Sequence, residues 1–324
     1  MTKAIRFHAV GGPEVLRLED IDLAPPAPHE VRLRHTAIGL NFIDTYHRSG
    51  LYPVPLPSGL GSEAAGVVEA IGADVTTLKI GDRVAYGTGP LGAYTEARNF
   101  PANRLAKLPD SISDEAAAGM MLKGMTVRYL LHSCYAVKKG ETILMHAAAG
   151  GVGLILSQWA KALGARVIGV VGNSSKIDIA KHHGCNVVID SSSEDVVKRV
   201  KAETDGKGVP VVYDGVGQAT VMTSLECLQP RGLLVSFGNA SGPIKNFDVG
   251  VLAAKGSLYI TRPTLGTFTS TDADFAEVSK HVVDMVASGK VKIQVNQRYA
   301  LKDAAKAHED LAARKTTGTT VLVP

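Results

Sequence analysis

The 324-residue chain carries only three cysteines, Cys134, Cys185 and Cys227, scattered far apart. That excludes a disulfide framework and a cysteine zinc ribbon, and predicts small buried thiols in a reducing cytoplasm. No apolar run approaches the roughly 18 residues that a membrane-spanning helix needs. The stretch Met1 to Phe7 lacks the long apolar core of a signal peptide. The net charge is a small +4 without a Lys/Arg block, so charge makes no case for nucleic acid. Metal-ligand spacing is missing too. His182 and His183 are adjacent and point apart on a helix, and His146 has no partner near it in sequence. No metal site is predicted, and the histidines read as structural or solvated.

What is present is 45% hydrophobic and 20% charged residues, the balance of an ordinary globular protein. The length exceeds that at which one core usually stays undivided, so two domains are expected. The stretch His146-Ala147-Ala148-Ala149-Gly150-Gly151-Val152-Gly153 organises the rest. The run Thr142-Ile143-Leu144-Met145 leads into it and a helical pattern from Leu154 to Leu163 leaves it. Strand, glycine turn and helix in that order make a dinucleotide-binding turn. Its backbone approaches a pyrophosphate, and the helix N-terminus supplies amide donors. The spacing is A-x-G-x-x-G, with Ala148 at the usual first glycine, Gly150 at the second and Gly153 at the third.

Before this turn, short strands and Gly/Pro punctuation prevail. Strands are expected at 2–7, 30–38, 64–72, up to 85 and at 92–97, with a short helix from Asn41 to Ser49 and a proline-rich loop from Leu51 to Pro57. This pattern predicts a small β-barrel-like domain. Helices are expected at 114–121 and 125–133. Strands at 142–145, 166–171, 186–190, 210–214, 233–237 and 257–261 then alternate with helices, the signature of an open, doubly wound parallel sheet of six strands. Beyond Asp272 a long helix, a strand at 294–299, another helix and a strand at 318–322 fit no further βαβ unit, and this tail is expected to return to the first domain.

An NAD site usually carries an acid about 20 residues past the glycines, on the ribose 2′-OH. The corresponding stretch, Val171-Gly172-Asn173-Ser174-Ser175-Lys176, has none. An acid there would repel a 2′-phosphate, whereas Lys176 pairs with it and Asn173 and Ser174 donate hydrogen bonds, so NADP(H) is expected. The plainer alternative makes Ser174 a helix cap and Lys176 a solvated first-turn residue. Tyr213-Asp214-Gly215-Val216-Gly217 closes the fourth strand and Phe237-Gly238-Asn239 the fifth. Ligands of such sheets sit outside the carboxyl ends of the strands. Gly215, Gly217 and Gly238 are therefore expected against the nicotinamide ribose, with plain turn glycines as the alternative.

Four segments carry a family resemblance: Asn41-Phe42-Ile43-Asp44, Gly59-Leu60-Gly61-Ser62-Glu63-Ala64-Ala65-Gly66, Gly81-Asp82-Arg83-Val84, and Ala147 to Gly153. Together they resemble the medium-chain dehydrogenases/reductases from end to end, and are most similar to the zinc-free, ζ-crystallin-like NADPH:quinone oxidoreductase branch. Zinc-dependent members carry G-H-E-x-x-G, whose His binds the catalytic metal. Ser62 stands in that place, Asn41 falls where a ligand Cys is usual, and no four-cysteine lobe follows.

The resemblance implies a GroES-like domain of residues 1–122 and 266–324, with a Rossmann NADP(H)-binding domain of residues 123–265 inserted. It implies a homodimer joined edge to edge through the strand at 257–262, where Leu258 and Ile260 make a sticky edge. It places Asn41, Asp44 and Thr45 near the nicotinamide, and adds cofactor contacts at Tyr129, Gly151, Val152, Gly172, Asn173, Lys176, Phe237, Asn239 and Arg314. Two departures stand out. Ser191 replaces a tyrosine that clamps the adenosine phosphate in close relatives, which leaves Lys176 more alone. Gly215 stands where some relatives have Ser.

The implied chemistry is NADPH-dependent reduction of a quinone in a cleft between the two domains. Negative charge develops on a quinone oxygen, and Asn41, Tyr46 and Tyr52 are the candidate donors that position the acceptor, with no assigned acid or base. Tyr46 has a rival role in packing on its short helix. The nearest alternative is reduction of activated C=C bonds in enones or alkenals. An alternative from another class is a non-enzymatic, NADPH- or RNA-binding crystallin-like protein, against which the small charge argues. Ser62 disfavours a zinc alcohol dehydrogenase.

Overall fold

The computed structural model describes every residue from Met1 to Pro324. The chain forms two compact units. Unit 1 is Met1–Met125 with Thr269–Gly289 and Ile293–Pro324, and unit 2 is Thr126–Phe268 with Lys290–Lys292.

Unit 1 begins with β1 (Thr2–Phe7), β2 (Arg17–Ile21), β3 (Glu30–Leu40), β4 (Ser58–Gly59), β5 (Glu63–Ile71), β6 (Arg83–Tyr86), β7 (Ala97–Pro101) and β8 (Ala106–Lys107). The strand expected at 92–97 is not formed. Gly92 turns at φ 111°, Thr95 makes only an isolated bridge to Ala4, and the ladder to β3 starts at Ala97. The helices expected at 114–121 and 125–133 are one helix, Asp114–Tyr129, followed by a π-helical turn, Leu130–Cys134. Buried Met120, Met121 and Met125 keep packing through the stretch where a break was expected.

Unit 2 holds β9 (Thr142–His146), β10 (Arg166–Val171), β11 (Val187–Asp190), β12 (Val209–Asp214), β13 (Leu228–Ser236) and β14 (Tyr259–Thr261). They form one six-stranded sheet in the order β11-β10-β9-β12-β13-β14. Every neighbouring pair is parallel. The order reverses between β9 and β12, which is where such a sheet opens a crevice for a ligand. Its core is aliphatic, with Leu144, Ile168, Val170, Ile189, Val212 and Leu234 from five strands. Strands buried on both faces read as such continuous apolar runs. At the β14 edge Leu258 points into this core, contrary to the expected sticky edge. Tyr259, 61% exposed, and half-buried Ile260 are the apolar side chains left there.

The tail supplies β15 (Val295–Ala300) and β16 (Thr319–Val323). β16 pairs antiparallel with β3, and β15 lies parallel to β16, so the tail completes the seven-stranded sheet of unit 1. Leu301, Ala304, Ala307 and Leu322 of the tail share one core with Val31, Leu33, Val84 and Phe100.

Candidate functional site

In unit 2, β9 ends at His146 and the chain turns through Ala147, at φ 54°, to Gly150, which caps the helix Gly151–Ala162. Gly153 is the close-approach glycine. A Cβ there would stand 2.5 Å from the Ala147 oxygen and 2.6 Å from the Ala148 oxygen. Ala148 tolerates its methyl because Gly169 lies opposite on β10, where an added Cβ would be 2.8 Å from the Ala148 Cβ. Gly150, Gly151 and Val152 stay half-buried at the start of the helix; the Gly150 N–H goes to the Ala147 carbonyl at 2.9 Å, and the first helical amides have no partner in the i→i−4 ladder.

Past β10 the chain forms an open shelf. Gly172, Asn173, Ser174 and Ser175 are exposed, Lys176 is half-buried, and a Cβ on Gly172 would meet nothing within 4 Å. Ser174–Lys176 is a single 3-10 turn, and the N-cap residue is Asn173 rather than Ser174. The Ser175 hydroxyl donates to Asn173 Oδ1 at 2.6 Å. Ser191 is exposed, and its hydroxyl donates to the Val171 carbonyl at 3.0 Å.

A buried carboxylate shapes the third part of this site. Asp214 Oδ1 accepts the backbone N–H of Val216 at 2.7 Å and of Gly217 at 3.1 Å. Its Oδ2 accepts the hydroxyls of Thr220 and Ser224, each at 2.7 Å. Because Ser224 donates to Asp214, it accepts from His146 Nε2 at 3.1 Å, so His146 is structural. Phe237 leans on Gly215, where a Cβ would stand 2.9 Å from the ring tip. Phe237 and Gly238 are half-buried, and Asn239 is buried. Tyr129, also buried, stacks on Phe268 with ring centroids 4.6 Å apart and planes within 6°.

In unit 1, Asn41 precedes the helix Phe42–Ser49, and Asp44 reaches back to accept the Asn41 N–H at 2.9 Å. Buried Thr45 donates its hydroxyl to the Phe42 carbonyl at 2.6 Å. Tyr46 is buried edge-on to half-buried Tyr52, with ring centroids 5.2 Å apart, so the packing role expected of Tyr46 is present. Asp44 also accepts the Tyr94 hydroxyl at 2.9 Å, Tyr94 meets His308 Nε2 at 3.1 Å, and Arg48 Nη1 meets His308 Nδ1 at 3.0 Å. The Asn41 carboxamide donates Nδ2–H to Glu63 Oε2 at 2.7 Å, and Lys123 Nζ meets the same oxygen at 3.0 Å. Arg314 is exposed, at φ 58°, just past the helix Ala304–Ala312. No group of three or more His, Cys, Asp or Glu side chains converges anywhere as a metal cage would.

Two family models match this chain, "Alcohol dehydrogenase GroES-like domain" over residues 27–110 and "Zinc-binding dehydrogenase" over residues 151–285. A quinone oxidoreductase of Pseudomonas aeruginosa is 57% identical over the full length of both chains. The chain belongs to the quinone oxidoreductase family of medium-chain dehydrogenases/reductases. The crystal structure of an Escherichia coli quinone oxidoreductase complexed with NADPH superposes with a TM-score of 0.97 at 51% identity, covering 99% of this chain and 100% of that one. A 2-haloacrylate reductase of a Burkholderia species is 44% identical over 100% of this chain and 99% of its own.

Within this quinone oxidoreductase fold, three features had escaped the sequence. The Asp214 clamp was hidden because its partners are backbone amides and two hydroxyls. The Tyr94–His308 pair joins residues 214 apart. The Glu63–Lys123 pair had one signal, an acid following Ser62 at the head of the apolar run Ala64 to Val68.

Proposed function

We propose that the chain reduces quinones with NADPH, without a metal, as a cytoplasmic homodimer. The observation that carries the reading is 57% identity over the whole chain to a protein named quinone oxidoreductase. The cofactor side is supported by the shelf Gly172–Lys176, which is open and free of acids. In unit 2 the half-buried glycine turn fits a pyrophosphate at the helix N-terminus, and Asn173, Ser174 and Lys176 fit a 2′-phosphate. Gly215, Gly217, Phe237, Gly238 and Asn239, on loops held by Asp214, fit the nicotinamide ribose. Bound there, NADPH supplies the hydride.

In unit 1, Asn41, Asp44, Thr45, Tyr46 and Tyr52 gather at one helix and its following loop, and we assign them the acceptor and nicotinamide side. Residues 1–122 and 266–324 would then form the catalytic domain, and 123–265 the NADP(H) domain. Metal-free chemistry is supported by Ser62 and by Asn41, whose carboxamide donates to Glu63. Dimerisation through 257–262 is supported by β14 pairing only with β13 and by its uncharged Tyr259-Ile260-Thr261 edge. The cytoplasmic assignment is supported by three free thiols, and no helix is long and apolar enough to cross a membrane.

Similarity to a 2-haloacrylate reductase favours a second reading, reduction of an activated C=C bond. NADPH oxidation followed with a naphthoquinone and with an alkenal separates the two, and no turnover with either overturns both. Sedimentation of a monomer would overturn the dimer, and stoichiometric zinc in purified protein would overturn the metal-free assignment.

A further inference from the structure

Glu63 is fully buried at the start of β5, and each of its oxygens is occupied. Oε1 accepts the Leu122 N–H at 2.9 Å, and Oε2 accepts both Asn41 Nδ2 at 2.7 Å and Lys123 Nζ at 3.0 Å. The Lys123 side chain is 7% exposed, and Glu63 is its one hydrogen-bond and ion-pair partner. An ammonium has three N–H donors, so two of these are aimed at no protein acceptor. An Asn carboxamide has two, so one N–H of Asn41 is likewise left over. Sharing one carboxylate oxygen holds both nitrogens on the same atom, each with donors left over.

Stability alone does not call for this arrangement, because a buried ion pair is often no more stabilising than a packed apolar pair of similar volume. Glu63 without Lys123 would still hold Leu122 and Asn41. The pair does put a fixed positive charge, with free donors, beside the side chain assigned above to the acceptor.

We propose that the Lys123 ammonium, anchored by Glu63 beside Asn41, stabilises the oxyanion that forms on the acceptor as it is reduced. The inference rests on the quinone-reductase reading. A hydride reaches the acceptor, one acceptor oxygen takes the negative charge, and that oxygen is protonated from solvent. Lys123 with Asn41 forms the donor set for that charge, an oxyanion-hole arrangement in a site of low dielectric. Glu63 is a positioning residue that sets the direction of both donors.

The test compares Lys123→Met with the double variant Glu63→Gln/Lys123→Met. The single variant strands a buried charge and is expected to lose stability. The double variant removes both charges, so its melting temperature is expected to recover. A structural role predicts that kcat recovers with it. The proposal predicts that kcat of the double variant stays about 100-fold down, while the NADPH dissociation constant moves by less than about twofold. The deficit should grow along a series of quinones whose reduced oxygens are increasingly basic. A readout without turnover uses 4-nitrophenol with the NADP-loaded protein. The wild type should shift its bound absorbance toward the phenolate, and the double variant should not. A refolded double variant with kcat within about threefold of wild type, or an equal phenolate shift, overturns the proposal and leaves the function standing. A wild type that turns over no quinone or alkenal overturns the function, and this inference with it.

Discussion

Tyr94 donates its phenol proton to Asp44 across 2.9 Å, inside a core where neither side chain is exposed. The direction of that bond is fixed by Arg48, which lies 46 positions before Tyr94 and whose guanidinium can only donate. Arg48 therefore gives a hydrogen bond to His308 Nδ1, so His308 presents Nε2–H to the Tyr94 oxygen, and Tyr94 turns its own proton to Asp44. Asp44 Oδ2 thus accepts from Tyr94 and from the Asn41 N–H, while Oδ1 is buried without a partner. A proton on Asp44 belongs on Oδ1.

Burial raises the Asp44 carboxyl from 3.8 to about 7, against the hydrogen bonds from Asn41 and Tyr94 and the charge of Lys123 that favour the carboxylate. An acid raised in the folded state holds its proton more tightly there than in the unfolded chain. Its contribution to stability is complete below the unfolded value and is lost as pH rises through the folded one. Asp44→Asn keeps the acceptor and places an amide N–H where the orphaned oxygen stood. Urea unfolding should show the variant gaining on the wild type as pH rises from 4 to 8, by on the order of 4 kcal/mol. A gap that stays constant with pH would remove Asp44 from this account.

His35 and His308 act in the opposite direction. Burial lowers each from 6.5 to about 3. For a base depressed on folding, the stabilisation is present above the unfolded value and is lost as pH falls toward the folded one. His35 Nδ1–H donates to the Thr95 carbonyl at 2.8 Å, so Nε2 accepts the Tyr86 hydroxyl at 3.1 Å. Protonation would turn that acceptor into a donor. His35→Gln should be less stable at pH 7, yet its stability should fall less steeply between pH 6 and 4, by about 1.4 kcal/mol per pH unit. Parallel slopes for variant and wild type would show that His35 is not a buried neutral base.

Much of this was legible because strong patterns are local. The run Thr142 to Gly153 announced strand, turn and helix, and β9 and the helix Gly151–Ala162 stand there. The apolar runs at 166–171 and 210–214 became the strands flanking β9. Misreadings came where long-range packing decides. Leu258 looks like an edge residue by its position, but its partners in the core come from elsewhere in unit 2. The stretch Gly92 to Glu96 has strand composition, yet its backbone bonds go to Gly61, Leu60 and Lys3 outside a ladder. The pinning of Asn41 by Asp44 and Glu63 shows half in sequence, where Asp44 is three residues on. Glu63 is 22 away, on another strand.

Two glycines of the turn should fail in different ways. A methyl at position 153 meets two carbonyl oxygens at 2.5 and 2.6 Å, both backbone, so neither can swing aside. Gly153→Ala should cost about 1–3 kcal/mol in unfolding free energy before any cofactor is added. At Gly150, φ is −81° and the nearest atom to an added Cβ is 3.2 Å away. Gly150→Ala should leave the cofactor-free protein within about 0.5 kcal/mol of wild type while weakening NADPH binding, because the residue caps the helix whose N-terminus is assigned to the pyrophosphate. Thermal unfolding with and without NADPH separates the two. Equal losses in the cofactor-free protein would mean that both glycines serve packing alone.

The preference for NADPH rests on Lys176 more than it would if position 191 reached the phosphate. The Ser191 hydroxyl is committed to the Val171 carbonyl, which leaves Asn173, Ser174 and Lys176 on the shelf. A charge-assisted contact to a phosphate contributes about 1.5–3 kcal/mol. Lys176→Ala should therefore raise the NADPH dissociation constant about 10- to 100-fold and leave the NADH constant nearly unchanged. The NADPH effect should shrink as salt is raised, since the shelf is open to solvent and the pair is screened. Titrating each cofactor by fluorescence at low and high salt gives all four constants. Equal losses for NADH and NADPH would mean that Lys176 holds the loop rather than the 2′-phosphate.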